Sequence, residues 1–231
     1  MTRIVLISGS LRRDSLNTVA ITTIRGILDA APGPVECRVL PIDSLPHYDQ
    51  DVDEEGREAD VVRHARRVVE NADALIVSTP SYNGSIPGVL KNALDWLSRP
   101  WGASALTGRT AAVLSASPGP RGAADALPGL RTVLRRAGAL LVEGPDLSLG
   151  NAADIPTRDG SFVDPWTLAR LETLTQALLT GLRSRPPGPQ PCPGPESAAD
   201  GTTAGGTESD GATARDDEPG TGSPSLLPAH S

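Results

Sequence analysis

The 231-residue sequence predicts an α/β fold in which one parallel, five-stranded sheet is covered by helices on both faces. Two observations carry this. Short apolar runs alternate with stretches of helical spacing five times in succession. The first run, TRIVLIS, is unbroken, as in a strand buried on both sides. Hydrophobic residues make up 38 % of the chain and aromatics only 3 %, so the core is built on Val, Leu, Ile and Ala.

TRIVLIS (2–8) is the first strand. NTVAITTIRGILDAA (17–31) follows with Val19, Ile24, Ile27 and Leu28 at helical spacing, and Pro32-Gly33 stops it. VECRVL (35–40) is the second strand, PIDSLPHYDQDVDEEG (41–56) a polar loop and READVVRHARRVVENA (57–72) the second helix. DALIVSTP (73–80) is the third strand. Pro87 suits the first turn of PGVLKNALDWLSR (87–99), whose Leu90, Leu94 and Leu97, with Val89, Ala93 and Trp96, form a buried face. GRTAAVLSA (108–116) is the fourth strand, ADALPGLRTVLRRAG (124–138) a helix carrying an internal Pro128, and ALLVEG (139–144) the fifth strand. DPWTLARLETLTQALLTGLRSR (164–185) is the last helix, with Asp164 as its cap and Pro165 as its first residue.

Beyond it the composition changes. Residues 186–231 are rich in Pro, Gly, Ser, Thr and acidic side chains, too poor in apolar surface to offset their ordering entropy. The chain therefore divides into a domain at 1–185 and a disordered tail at 186–231. The tail holds seven acidic residues against Arg215 alone, hence −6 of the net −7, which leaves the domain near −1. A near-neutral domain has no nucleic-acid footprint. Cys37 and Cys192 make no CxxC pair, and His47, His64 and His230 have no metal-ligand spacing, so neither a redox dithiol nor a metal site is expected. No signal-peptide core and no run near ~20 apolar residues occurs, so the chain reads as a cytoplasmic protein without a membrane partner.

In doubly wound sheets, ligands sit beyond the carboxyl ends of the strands, which directs attention to loops 9–16, 80–86 and 116–123. The first strand runs into SGSLRRDSLN (8–17), which is neither GxGxxG nor GxxxxGK[ST]. A helix N-terminus offers unpaired N–H groups and the positive end of the helix dipole. Ser10, Ser15, Asn17 and Thr18 add neutral donors, and Arg12 or Arg13 adds charge, which suits one terminal phosphate. Capping explains Ser15 or Asn17 but requires neither Ser10 nor Arg12. In the second loop, Gly84 supplies a positive φ or a close approach. Tyr82 offers a flat wall, and the backbone of Asn83 and Gly84 can meet ring nitrogens and carbonyls.

GSLRRDSLNT (9–18) followed by PSYNGSIPGVLKNALDW (80–96) resembles the NADPH-dependent FMN reductase family of flavodoxin-like flavoproteins, over roughly residues 2–182. The resemblance implies a flavodoxin-like, doubly wound, five-stranded parallel sheet. It also implies FMN as cofactor, NADPH or NADH as co-substrate, and a homodimer or homotetramer. It carries the phosphate site onto Ser10, Arg12, Ser15, Leu16, Asn17 and Thr18, and the isoalloxazine site onto Pro80, Ser81, Tyr82, Asn83 and Gly84. Ser115, Ser117 and Gly119 of the third loop also meet the ring in this reading. Two departures stand out: Ser81 replaces a Glu found in many members, and Pro120 and Arg121 interrupt the third loop where a Gly-Gly pair is common. The chemistry implied is hydride transfer through FMN to a small acceptor such as a flavin, quinone, azo dye or metal oxyanion, with no catalytic side chain. The alternatives are an electron carrier of flavodoxin type and a flavin-supplying partner of a monooxygenase. Carriers usually dock through strongly acidic surfaces, which the near-neutral domain lacks.

Overall fold

The unbroken apolar runs become the middle of the sheet. In a computed structural model describing residues 1–54, 56–144 and 146–184, strands β1 (Thr2–Ser8), β3 (Ala74–Thr79) and β4 (Thr110–Ala116) lie side by side and parallel. β2 (Val35–Val39) pairs with β1 at one edge and is only partly buried. The order β2-β1-β3-β4-β5 is the flavodoxin-like one, in which successive crossovers leave β1 in opposite directions and open a crevice between β1 and β3.

Residues alternate between two cores along each strand. Ile4, Leu6, Ile76 and Leu114 face α1 (Leu16–Asp29) and α6 (Pro165–Arg183). On the other face, Val5, Ile7, Val77 and Val113 pack with a second set of helices. That set comprises α3 (Asp60–Glu70), α4 (Gly88–Leu97) and α5 (Leu127–Arg136), with the short α2 (Gln50–Glu54) preceding it. Leu90 and Leu94, both fully buried on α4, each contribute about 1.5–3 kcal/mol through removal from water.

The structure corrects four readings of the sequence. The fifth strand is split: β5 (Leu140–Leu141) pairs with the start of β4 and β6 (Leu147–Leu149) with its end. Arg131 reaches across the break to the Val142 carbonyl at 3.4 Å and the Asp146 carboxylate at 2.8 Å, and Arg170 donates to the Ser148 carbonyl at 2.9 Å. Pro128 is not internal to a helix: Ala124–Ala126 form a 3-10 turn, and α5 starts at Leu127 with proline in its first turn, where no N–H is missed. The polar loop contains α2, anchored by Asp53 to the buried Arg66 at 2.5 Å. A hairpin of β7 (Thr157–Arg158) and β8 (Ser161–Phe162), absent from the sequence reading, buries Phe162 beside α1, where its N–H donates to Thr23 Oγ1 at 2.9 Å. The tail reading lies outside the described residues. Among the described residues, no helix is long and apolar enough to cross a membrane.

Candidate active site

Three loops meet at the carboxyl ends of β1, β3 and β4 because the register of these strands brings Ser8 beside Ser78 and Thr79 beside Ser115. Gly9 donates its N–H to the Ser78 carbonyl at 2.7 Å. A β-carbon at Gly9 would stand 2.8 Å from Leu90 Cδ2 and 3.1 Å from the Ser78 carbonyl oxygen, so glycine lets the first loop leave the sheet close to α4 without displacing Leu90.

The first loop ends in a capped helix. Ser15 Oγ accepts the N–H of Thr18 at 3.2 Å, and Ser8 Oγ and Thr18 Oγ1 share a hydrogen bond of 2.9 Å. The N–H groups of Leu16 and Asn17 meet no acceptor among the described residues. Nor does the first turn of α1 carry an acidic side chain, which leaves its positive dipole end uncompensated. Arg12 is exposed and turns back on its own loop, with Nη2 2.5 Å from the Asp14 carbonyl, and its N–H reaches Ser10 Oγ at 3.4 Å.

Asn17 sits differently from the sequence reading. Its carboxamide is buried, with Oδ1 accepting from Ser78 Oγ at 2.8 Å and from the Ala116 N–H at 3.1 Å, while Nδ2 donates to the Ala116 carbonyl at 3.0 Å. The side chain ties the three loops together, and only its backbone N–H faces the open helix end.

The second loop is a two-residue hairpin. Tyr82 and Ser85 exchange backbone hydrogen bonds of 2.9 and 3.1 Å around Asn83 (φ 54°) and Gly84 (φ 78°), the type I′ geometry that Asn-Gly favours. Tyr82 is 54 % exposed and Leu11, from the first loop, 55 %. Two apolar side chains are thus left open beside the phosphate-type loop.

The third loop is pinned from behind. Ser117 donates its N–H to Leu149 and accepts from Ala152 through its carbonyl, and its Oγ accepts the Gly119 N–H at 3.1 Å. A β-carbon at Gly122 (φ 61°) would lie 2.6 Å from Gly150 N, and one at Gly150 would lie 2.1 Å from the Pro120 carbonyl oxygen. Ser115 departs from the expectation that it meets a ring: it is fully buried in the sheet, with Oγ on Ser148 Oγ at 3.2 Å.

Residues 2–154 match the model of the NADPH-dependent FMN reductase family. The chain belongs to that family. It is 35 % identical to a 2-hydroxy-1,4-benzoquinone reductase of Burkholderia sp. over 183 residues, covering 79 % of this chain and 97 % of the relative. It is 34 % identical to an NAD(P)H-dependent FMN reductase of Pseudomonas aeruginosa over 181 residues, covering 78 % and 95 %. Among solved structures, it superposes on a flavoenzyme NAD(P)H:(acceptor) oxidoreductase of Paracoccus denitrificans with a TM-score of 0.72 at 33 % identity, covering 79 % and 98 %.

Membership in the family makes FMN the cofactor and a reduced nicotinamide the hydride donor. The donor set of this chain fits such a group. Two unspent N–H groups, the hydroxyls of Ser10 and Ser15, which only accept here, and an arginine surround an uncompensated helix end, as a phosphate monoester requires. Beside them the 82–85 hairpin offers the exposed face of Tyr82 and two further N–H groups, at Asn83 and Gly84, with no acceptor among the described residues. Sequence reasoning missed Ser8, Ser78 and Gly150. The first two are hydroxyls at strand ends, and Gly150 follows the unrecognised β6.

Proposed function

We propose that this protein is an NAD(P)H-dependent reductase that uses FMN to pass two electrons to a quinone-type acceptor. The observation that carries the reading is the convergence of the α1 N-terminus and the 82–85 hairpin at adjacent strand ends, one chemically suited to a phosphate and the other to a flat ring.

In this reading Arg12, Ser10 and the Ser15 hydroxyl, with the N–H groups of Leu16 and Asn17, hold the phosphate, and Thr18 supports them through Ser8 and Ser15. Pro80, Ser81, Tyr82, Asn83 and Gly84, with Ser117 and Gly119, would hold the ring. Ser115 and the Asn17 amide position these loops from beneath. Bound FMN supplies the two-electron chemistry between nicotinamide and acceptor. The protein's part would be to hold the ring against these loops and leave a face open. No side chain here is required as acid, base or nucleophile.

The reading extends to a domain at 1–185 with an appended segment at 186–231, a homodimer or homotetramer, and a cytoplasmic location. Light scattering measures the oligomeric state directly.

The test is an absorbance spectrum of the purified protein followed by anaerobic NADPH. A flavin band that bleaches without acceptor and returns on adding a quinone is the expected result. A colourless protein that takes up no FMN, or a flavin that NADPH leaves unchanged, overturns it.

A further inference from the structure

Asp125 stands between the second and third loops. A side-chain carbon built on Gly84 would lie 4.0 Å from Asp125 Oδ2, and no other heavy atom beyond the neighbouring residues comes so near that point. The carboxylate is exposed and has no counter-ion among the described residues. Its turn is held firmly: Ala124 and Ala126 donate their N–H groups to Arg121 and Ala123 at 3.1 Å, Ala126 and Leu127 are buried, and Gly122 is wedged against Gly150. An exposed, unneutralised carboxylate on a firmly held turn therefore lies beside the hairpin assigned to the ring. The charges of the first loop are placed otherwise, with Arg12 turned onto the Asp14 carbonyl. Asp125 also precedes α5, where a carboxylate complements the helix dipole. That role accounts for its position in sequence and not for its nearness to Gly84.

We infer that Asp125 selects acceptors by charge, favouring neutral or cationic rings over anionic rings and oxyanions. The inference rests on the reading of the site proposed above. A single charge a few ångström from a ligand, in a site open to water, changes its affinity about three- to tenfold.

The experiment uses the full-length protein loaded with FMN and the variants Asp125→Asn and Asp125→Ser. Benzoate and benzamide, nearly isosteric and differing by one charge, are titrated by calorimetry. The expected result is that D125N and D125S tighten benzoate relative to benzamide by about three- to tenfold. The reoxidation rate of dithionite-reduced protein by a sulfonated naphthoquinone, relative to the unsulfonated ring, rises by a similar factor. An unchanged ratio in both measurements, with a lower melting temperature, overturns the inference and leaves Asp125 as a helix-end charge. Failure of either ring to bind wild-type protein also overturns it. Reduction by dithionite keeps this outcome separate from the donor question: a protein that NADPH fails to reduce contradicts the proposed function, while the acceptor ratio is still read.

Discussion

The side-chain amide of Asn17 is bonded to both backbone groups of Ala116, 99 residues away, accepting its N–H at 3.1 Å and donating to its carbonyl at 3.0 Å. With Ser78 Oγ on the same Oδ1, one buried carboxamide fixes the start of α1 to the ends of β3 and β4. Replacing Asn17 by Ala leaves Ser78 Oγ and the backbone of Ala116 without these partners in the interior. The expected cost is about 2–4 kcal/mol of stability in urea denaturation of the apo-protein, with weaker FMN binding besides. Loss of FMN affinity with unchanged stability would return Asn17 to a direct contact.

Arg12 is the opposite case, because its guanidinium is exposed and bonded only to its own loop. Arg12→Ala should leave the urea midpoint in place and weaken FMN binding by one to two decades, from the loss of a charge-assisted contact of roughly 1.5–3 kcal/mol. Titration of apo-protein with FMN reads this, and an unaltered dissociation constant removes Arg12 from the site.

Two glycines should respond with opposite signs. Gly150→Ala forces a methyl to within 2.1 Å of the Pro120 carbonyl oxygen, and a loss of about 2 kcal/mol or more is expected. Gly26 lies inside α1 with no neighbouring atom within 4 Å of its missing β-carbon, so Gly26→Ala should gain roughly 0.5–1 kcal/mol. Equal effects would mean that the third loop is not held against the Leu149–Ala152 segment.

Burial pushes the Cys37 thiol up from 9.0 to about 11, with Asp29 adding to the effect and Arg25 opposing it. A folded value above the unfolded one gives a contribution to stability that is full below about pH 9 and lost as pH rises through about 11. At pH 8.5, iodoacetamide should modify Cys37 at least about tenfold more slowly in the native protein than in urea, because the thiolate fraction is lower. Peptide mass spectrometry separates it from Cys192.

Kinetics test the open face. The site contains one phosphate-type loop and one ring-type hairpin, so nicotinamide and acceptor should occupy the same place in turn. With FMN tightly bound, double-reciprocal plots at several NADPH concentrations should be parallel. Intersecting lines together with a detectable ternary complex would contradict a shared face.

The sequence was most readable where local chemistry decides structure. TRIVLIS is β1 to the residue, since its apolar side chains leave no other way to be buried. Gly84 does take the positive φ that its place in the turn suggested, and Asn83 shares it, which the sequence reading did not assign. The fifth strand misled because ALLVEG reads as one run, whereas only Leu140 and Leu141 pair with β4 there and Leu147–Leu149 return to it afterwards. Asn17 looked like a ligand contact because nothing beside it in the chain announces a partner on β4. Ser115 likewise lies at a strand end, but the alternation of β4 turns its hydroxyl toward Ser148 and away from the loops. Side-chain partners distant in sequence, as at Asn17 and Ser115, were the part the sequence did not announce.

The broken fifth strand has a consequence for behaviour at high concentration. A strand from another molecule approaching this side of the sheet meets only two residues of β5 and three of β6. Two of the carbonyls along the stretch, those of Val142 and Ser148, are already taken by Arg131 and Arg170. Interruption and arginine caps together deny the long, straight template that intermolecular strand pairing needs, so on this side the molecule resists edge-to-edge polymerisation without a covering partner.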